Sequence, residues 1–337
     1  MKRKMKFTAV IAVIALLMMT AAGCSDSSNN GSSADSGSTG EAYQVGIVQQ
    51  LEHPALDEAT EGFQQALIDK LGEDGVEFDL QNAQNEQANC STISQGFVSG
   101  NMDLIMANGT NALQAASAAT ADIPIVATSI TDYATALNIE DWTGSTGTNV
   151  TGTSDLAPLQ QQAEMIRELV PDVQKVGLLY CSAEANSAYQ IAEIEKYLDD
   201  MGIAYEEYAA ADSNEIQAVT TSAVSECDAL YIPTDNTMAG STETVNNIAQ
   251  PAGVPVIAGE EGICGGCGVA TLTISYYDIG YAAGEMAYEI LVNDADPGTM
   301  EIQTAENVTK KYNPTLCEAL NITVPEGYEA ISTDSEA

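Results

Sequence analysis

The stretch that organises the chain is Asn149-Val150-Thr151-Gly152-Thr153-Ser154-Asp155, a polar, β-branched run near the middle. On either side of it, segments with the pattern of strands alternate with segments with the pattern of helices. That alternation is typical of a parallel, doubly wound sheet with helices on both faces. We therefore interpret the stretch as the first crossing between two α/β lobes.

The residues before the crossing contain short apolar runs, the pattern of strands that are buried on both faces. Pro54 is well placed to open the first helix, because its fixed φ suits the first helical position. Strands are predicted at 43–50, 76–81, 103–107 and 124–128, and helices at 54–71, 87–99 and 110–120.

The same alternation returns after the crossing. Strands are predicted at 175–180, 204–209, 229–233, 255–258 and 269–275, with helices at 158–170, 187–201, 215–225 and from 241. We expect the helix that starts at Tyr276 to return to the first lobe and residues 302–312 to make the final crossing. The prediction is two parallel-sheet lobes joined by a three-strand hinge. Lobe 1 takes residues 42–151 and 275–305, and lobe 2 takes residues 152–274 and 306–335.

The N-terminus has the pattern of a secretory signal. Four of the first six residues are basic, a short apolar run follows, and Ala21-Ala22-Gly23-Cys24 supplies small residues at a cleavage point. The apolar run is shorter than the ~20 residues that cross a bilayer. Residues 1–24 therefore resemble a bacterial lipoprotein signal in which Cys24 is lipidated. Residues 25–41 are rich in Ser, Gly and Asn and are predicted to form a flexible tether.

The charge balance is strongly acidic, with 49 acidic and 10 basic residues and a net formal charge of −39. Such a surface repels nucleic acid and anionic lipid headgroups, so neither is an expected partner. We interpret the acidic residues as a solvated surface that keeps the protein soluble.

Polar side chains follow the carboxyl ends of strands in both lobes, where open α/β sheets bind their ligands. The predicted ligand-binding set is Gln49, His53, Asn108, Thr110, Thr128 and Asp132 from lobe 1, and Glu184, Asn186, Asp235, Asn236 and Glu260 from lobe 2.

The types of residue in this set suggest two kinds of contact. Thr110 follows a glycine at a helix start, where its N–H and hydroxyl can hold a carboxylate. Arg167 is the only arginine after the signal and lies among glutamates, so a ligand carboxylate must be held by helix N-termini and hydroxyls. Asp235 and Glu260 are candidates for binding an amino group.

Several members of the set have a structural alternative. Asn108 or Thr110, Asn186 and Asp235 can instead cap the helices that follow them. Aromatic side chains can wall a small-molecule site or pack in the core, and both readings stay open for four of them. These are Phe63, Tyr133, Tyr180 and Tyr276.

The sequence does not point to catalysis, a cofactor or a metal. His53 is the only histidine, and no nucleophile in a recognised elbow accompanies it. Cys264-Gly-Gly-Cys267 is a single CxxC, without the second pair of ligands that a zinc site needs. This pair can be a disulfide or two thiols, while Cys181 and Cys227 are expected to pack as small apolar residues.

Four stretches together resemble one family of bacterial ABC-transporter solute-binding proteins, the tryptophan- and tyrosine-type receptors with the type I periplasmic-binding fold. They are Glu-His-Pro-Ala-Leu-Asp at 52–57, the stretch 149–155, Pro-Thr-Asp-Asn-Thr at 233–237 and Tyr-Tyr-Asp-Ile-Gly at 276–280. The resemblance implies a receptor without enzyme activity. Such a receptor closes its lobes on a small solute and delivers it to a membrane permease. The expected ligand is an amino acid, with aromatic and branched side chains as the two candidate classes.

The expected protein is thus a monomer that is lipid-anchored on the extracytoplasmic face of the cell membrane. The alternative is a membrane-tethered sensor with the same fold that presents its ligand to a signalling partner. A surface enzyme is the third class, and the missing nucleophile–base pair and phosphate loop argue against it.

Overall fold

A computed structural model describes residues 42–305 and 307–332 of the chain. The predicted signal peptide, Cys24 and the tether lie outside these residues. The strands are β1 Tyr43–Gln49, β2 Val76–Asn82, β3 Leu104–Asn108, β4 Ile125–Ile130, β5 Val150–Ser154, β6 Lys175–Cys181, β7 Ala204–Ala210, β8 Ala229–Ile232, β9 Val256–Ala258, β10 Ala270–Thr273, β11 Gln303–Thr304, β12 Thr309–Tyr312 and β13 Glu329–Ala330.

The α-helices lie between these strands in a regular alternation. They are α1 Pro54–Leu71, α2 Gln87–Gly100, α3 Thr110–Ala119, α4 Tyr133–Leu137, α5 Leu159–Leu169, α6 Ala185–Met201, α7 Ile216–Glu226, α8 Asn236–Ala239, α9 Thr242–Ala252, α10 Glu261–Gly266, α11 Tyr276–Asn293 and α12 Pro314–Ala319.

The strands form two separate sheets that are mostly parallel. The first has the order β11-β5-β4-β3-β1-β2 and the second the order β13-β12-β10-β9-β8-β6-β7. We call the first sheet with α1–α4 and α11 lobe 1, and the second sheet with α5–α10 and α12 lobe 2. The two predicted α/β lobes are confirmed, because short apolar runs such as β3 and β4 are buried along their whole length between helices.

Each lobe has apolar clusters on both faces of its sheet. In lobe 1, Phe63 of α1 and Met286 of α11 pack on one face, and Phe97 of α2 and Leu113 of α3 on the other. Lobe 2 repeats this arrangement with α5 and α6 in one cluster and α7 and α9 in the second. The helices therefore cover both faces and leave the strand ends for a site.

The chain passes between the lobes three times. Residues 155–158 lead from β5 to α5, residues 274–275 lead from β10 to α11, and the third passage leads from β11 to β12. β5 pairs with β4 as far as Ser154, so the chain leaves the first sheet three residues after the predicted lobe boundary at 151/152. β12 is antiparallel to β10, because the chain enters it directly from lobe 1 without a crossover helix.

The sequence prediction lacked three short helices, α4, α8 and α10. They contain only four to six residues, which is too short for a visible 3.6-residue period. All three begin just after a strand, at the edge of the sheet where polar side chains were predicted to bind a ligand.

Helices α1 and α11 approach each other closely through glycines. A Cβ atom on Gly280 would lie 2.0 Å from the carbonyl oxygen of Ala59, and one on Gly62 would lie 2.2 Å from that of Tyr277. Only glycine allows this contact of backbone with backbone. The contact between α1 and α11 fixes the position of the N-terminal end of α1 relative to the chain passage at 274–275. His53, which precedes α1, is fixed in the same way.

Within the described ranges 42–305 and 307–332, no helix is both long and apolar enough to cross a membrane.

Candidate ligand-binding cleft

The carboxyl ends of the two sheets face each other, and side chains join them directly. Nε2 of His53, the residue before α1, lies 3.2 Å from Oδ1 of Asn236 in lobe 2. The Asn85 amide after β2 donates to the hydroxyl of Thr237 at 2.8 Å. The cleft between the lobes is therefore closed across the expected binding edge.

Buried polar atoms without a hydrogen-bond partner concentrate at this edge. Among the described residues such atoms include His53 Nδ1, Asn108 Oδ1 and Ser129 Oγ in lobe 1 and Asn186 Oδ1 in lobe 2. Each of the four residues exposes less than a tenth of its surface. An unsatisfied buried polar atom costs about 1–3 kcal/mol, so four of them at one edge make this edge the candidate site for a ligand.

The bonding network determines which of these atoms accept hydrogen bonds. The Asn236 amide donates to Glu184 at 2.8 Å, so its oxygen must accept from His53 Nε2–H. A neutral His53 then has its lone pair on Nδ1. His53 Nδ1, Asn108 Oδ1 and Asn186 Oδ1 are therefore three acceptors without a partner, and Ser129 adds a hydroxyl without a partner.

Glu184 holds the lobe 2 side of this network together. Its buried carboxylate accepts from the N–H groups of Asn236 and Thr237 at 3.1 and 2.8 Å and from both of their side chains. The Asn186 amide also donates to it at 3.2 Å. Glu184 therefore caps α8 from a neighbouring loop, and Asn186 lies in the first turn of α6 rather than capping it.

Some of the predicted lobe 1 residues lie at the cleft, and others form hydrogen bonds inside the lobe behind it. Asn108 and Thr110 lie at the end of β3 and the start of α3, where the N-cap residue is Gly109, so neither side chain caps this helix. Gln49 instead bonds Asp57 at 2.6 Å and Thr60 at 2.7 Å, behind Asn108. The hydroxyl of Thr128 accepts from Thr153 at 2.9 Å inside the lobe.

Three of the predicted carboxylates cap the short helices. Asp132 accepts from Thr135 N at the start of α4, and Asp235 accepts from Met238 N at the start of α8. Glu260 accepts from Gly262 N at the start of α10. Burial, followed by the charge of Glu184, raises the pKa of Asp235. Asp235 is thus held by its own lobe, as the capping alternative predicts.

A cavity of about 670 Å³ lies beside the polar network and between the lobes. Pro54, Glu58, Glu260 and Tyr276 contribute to its lining, while the four residues with unpartnered atoms do not. Of the four candidate aromatic residues, Tyr276 alone lines this cavity. Phe63 and Tyr133 are in the core of lobe 1, and Tyr180 is part of the apolar cluster of lobe 2.

The six described cysteines are free and buried. Cys264 and Cys267 lie in and just after α10, and burial raises the pKa of both thiols, which keeps them in the neutral, unreactive form. The thiol interpretation of the CxxC pair is the one that the structure shows. Cys181 and Cys227 pack at the ends of β6 and α7 as expected.

Sequence reasoning missed several residues of the cleft. Ser129 has φ of +58° and lies within a register shift between β4 and β5, and such strained conformations are concentrated at binding sites. Gln50 accepts from Asn111 N of α3 and donates to Asn85. The only sequence signal for Ser129 is its place beside Thr128.

Asp155 marks the first passage between the lobes and is almost fully buried. Thr131 and Tyr276 donate to its two carboxylate oxygens at 3.0 and 3.1 Å. Burial raises the pKa of Asp155 to about 6 in spite of these two donors. Between pH ~4 and about 6, the folded protein therefore holds a proton here that the unfolded chain, with a pKa near the usual ~3.9, has already released.

We expect the stabilisation from this proton to be complete below pH ~4 and lost as the pH rises through about 6. A shift of this size corresponds to about 3 kcal/mol. Urea unfolding of the wild type and Asp155→Asn between pH 4 and 7 measures it. The stability of the wild type relative to the variant should fall by about that amount. The surface change Asp200→Asn is the control, and equal slopes for Asp155→Asn and the wild type would contradict the prediction.

Comparisons with known proteins agree with this architecture. The family model described as ABC transporter substrate binding protein matches residues 44–334, and the chain belongs to that family. Its fold is that of type I periplasmic binding proteins, which more distant solute-binding proteins share. Members of the family are solute-binding proteins and not enzymes.

Three matches to known proteins cover most of the chain. A tyrosine-binding protein of Clostridioides difficile (strain R20291) is 35% identical over 95% of this chain and 93% of its own length. The ABC domain of Streptococcus pneumoniae in complex with L-Trp is 32% identical, with a TM-score of 0.82 over 86% of this chain and 100% of that one. A ligand-free, open substrate-binding protein with adhesive properties from Clostridium difficile is 35% identical, with a TM-score of 0.67 over 87% and 100%.

The two structural comparisons also describe the arrangement of the lobes. The open, ligand-free relative has the higher identity and yet the lower TM-score, whereas the L-Trp complex superposes better. A different angle between lobes of the same fold would produce such a difference in TM-score. Together with the bonds from His53 to Asn236 and from Asn85 to Thr237, this indicates a closed arrangement.

Proposed function

We propose that this protein binds a free amino acid, with an aromatic side chain as the preferred class, in the cleft and delivers it to an ABC permease. One observation carries the proposal. The cleft presents three buried acceptors without partners, His53 Nδ1, Asn108 Oδ1 and Asn186 Oδ1. An ammonium group has three donors and no acceptor, so it complements this set.

The carboxylate of the amino acid would lie at the start of α3. The first N–H groups of a helix have no partner within the helix and favour negative charge. Gln50 accepts from Asn111 N, and the neighbouring N–H of Thr110 is left for a ligand. The unpartnered hydroxyl of Ser129, on the adjacent strand β4, would add a further donor.

The basic residues support this assignment, because they are engaged elsewhere. The five lysines of the described ranges pair with glutamates in partly exposed positions, and Arg167 donates to the carbonyl of Met201. A carboxylate in the cleft would therefore be held by helix N–H groups and hydroxyls.

Relatives support the aromatic class. One is a tyrosine-binding protein, and another was solved in complex with L-Trp. At 35% and 32% identity over most of the chain, their ligands are the best guide to the side chain that this cleft takes. Branched amino acids remain the second class for a binding screen.

The family implies that an ABC permease in the membrane is the partner that receives the ligand. We also propose that Cys24 is lipidated and holds the protein on the extracytoplasmic face, with residues 25–41 as the tether, and that it acts as a monomer. Membrane fractionation of cells that carry Cys24 or Cys24→Ala tests the anchor, and sedimentation tests the oligomeric state.

Calorimetric titration with L-tyrosine, L-tryptophan, L-leucine and a nucleoside tests the function. An aromatic amino acid should bind, and at 100 times its Kd should raise the free energy of unfolding by about 2.7 kcal/mol. Ser129→Ala should weaken binding by about tenfold, because it removes one hydrogen bond to a charged group.

Thr220→Val is the matched control for Ser129→Ala. Thr220 also has a buried hydroxyl without a partner, but it lies on α7, away from the cleft. This variant should bind the ligand as the wild type does. If Ser129→Ala binds equally well, the proposed carboxylate site is wrong, and if no amino acid binds the wild type, the proposed ligand class is wrong.

A further inference from the structure

The side-chain amide of Asn108 is held in one orientation by groups behind it. Its Nδ2 donates to the carbonyl of Leu56 at 2.7 Å and to the hydroxyl of Thr60 at 3.0 Å, both on α1. An amide nitrogen has two hydrogens, so both are used. The oxygen of Asn108 is thereby directed away from α1 and remains without a partner.

The hydroxyl of Thr60 has its own direction fixed by Gln49. Thr60 Oγ1 donates to Gln49 Oε1 at 2.7 Å. The Thr60 hydroxyl therefore uses its one hydrogen in the bond to Gln49, and it can only accept a hydrogen bond from Asn108. If the amide of Asn108 turned over, its oxygen would meet the Thr60 lone pairs and the Leu56 carbonyl, and both contacts would be repulsive.

Gln49 is oriented in turn by groups that can only accept. Its Nε2 donates to Asp57 Oδ1 at 2.6 Å and to the carbonyl of Leu51 at 2.9 Å. An ionised carboxylate and a carbonyl have no hydrogen to give. Gln49 must therefore present its oxygen to Thr60. The direction of every bond from Asp57 to Asn108 follows from this starting point.

We infer that Asp57, Gln49 and Thr60 form a positioning relay that presents the oxygen of Asn108, and not its NH₂ group, to the ligand. This inference rests on the proposed function and deepens it. The relay makes the cleft select a ligand with a donor at this point, such as an α-ammonium group. A ligand that lacks the amino group leaves the oxygen unpaired, which a buried acceptor tolerates poorly.

Thr60→Val tests the relay, because valine keeps the shape of threonine and removes the hydroxyl. Binding of L-tyrosine is compared with binding of 3-(4-hydroxyphenyl)propionate, which has the same ring and carboxylate but no amino group. We expect Thr60→Val to weaken L-tyrosine binding by about tenfold and to change binding of the deaminated analogue little, since only the former needs the oriented oxygen. Thr60→Ser should restore the ratio of the two affinities.

Asp57→Asn is the second variant. Asp57 is exposed, so the protein should stay folded after this change. An asparagine at 57 can turn its amide and give Gln49 a donor instead of an acceptor, so the direction of the relay is no longer imposed. The preference for L-tyrosine over 3-(4-hydroxyphenyl)propionate should decrease, as it does in Thr60→Val. Equal losses for both ligands, or an unchanged ratio in both variants, would overturn the relay.

A measurement on the ligand-free protein separates this inference from the proposed function. The side-chain NH₂ signals of Asn108, assigned by their loss in Asn108→Leu, should exchange slowly with solvent in the wild type. In Thr60→Val they should exchange at least tenfold faster. Unchanged protection would overturn the relay whether or not any amino acid binds. Lost protection without amino-acid binding would support the relay and reject the ligand class.

Discussion

Replacing Glu184 with alanine is expected to lower the free energy of unfolding by about 4 kcal/mol and to abolish ligand binding. The carboxylate accepts from two backbone N–H groups and from the side chains of Asn236 and Thr237. These donors are buried, and alanine leaves them without partners. Asn236 then no longer holds the His53 ring across the cleft. Urea denaturation and calorimetric titration measure the two effects.

Two further variants separate the contacts of Glu184 from the loss of a charge. Glu184→Gln keeps one oxygen and the side-chain volume, so it should cost about half as much as alanine. Asp200→Ala removes an exposed carboxylate at the other end of α6 and should change stability by about 0.5 kcal/mol or less. If Glu184→Ala unfolds at the same urea concentration as Asp200→Ala, the capping role given to Glu184 is wrong.

The fold could be predicted because its signal is local and repeated. Buried strands such as β3 and β4 appear as apolar runs, and helices such as α1 begin at a proline and follow the 3.6-residue period. The site was only partly predictable. Residues that follow strand ends can be recognised in the sequence, and Asn108 and Asn186 were predicted as ligand contacts in that way.

What the sequence cannot give is the direction in which a side chain points. Asp132, Asp235 and Glu260 were predicted to bind a ligand, and all three accept from backbone N–H groups of short helices. A carboxylate just after a strand suits both roles, because the free N–H groups of the next helix lie as close as any ligand. Only the fold of α4, α8 and α10 distinguishes the two.

At the end of β4, the sequence also does not tell which of two neighbouring side chains, Thr128 or Ser129, reaches the cleft. Alternation along β4 points to Thr128, but the register shift after Ala127 changes which side chain reaches the cleft. Thr128 therefore bonds Thr153 inside the lobe, and the hydroxyl of Ser129 is left without a partner. A bulge of this kind depends on how β4 pairs with β5, which the residues around Ser129 alone do not reveal.

Gly152→Ala is expected to lower the free energy of unfolding by about 4 kcal/mol, from backbone strain and overpacking together. Gly152 lies in β5, within the stretch that joins the two lobes, and has φ of +146°. A Cβ atom there would lie 1.8 Å from the carbonyl oxygen of Ala127 and 2.5 Å from the hydroxyl of Tyr133. The measurement is urea denaturation, with loss of soluble protein as the extreme result.

Gly147→Ala separates strain from collision. Gly147 also has a positive φ, of +68°, but nothing lies within 4 Å of a Cβ atom placed on it. This variant should cost only the ~1–2 kcal/mol of a left-handed residue. Equal costs at 147 and 152 would mean that β4 and β5 can move apart freely. The collision at Gly152 displaces Ala127, two residues before Ser129, so a folded Gly152→Ala protein should also bind its ligand more weakly than Gly147→Ala does.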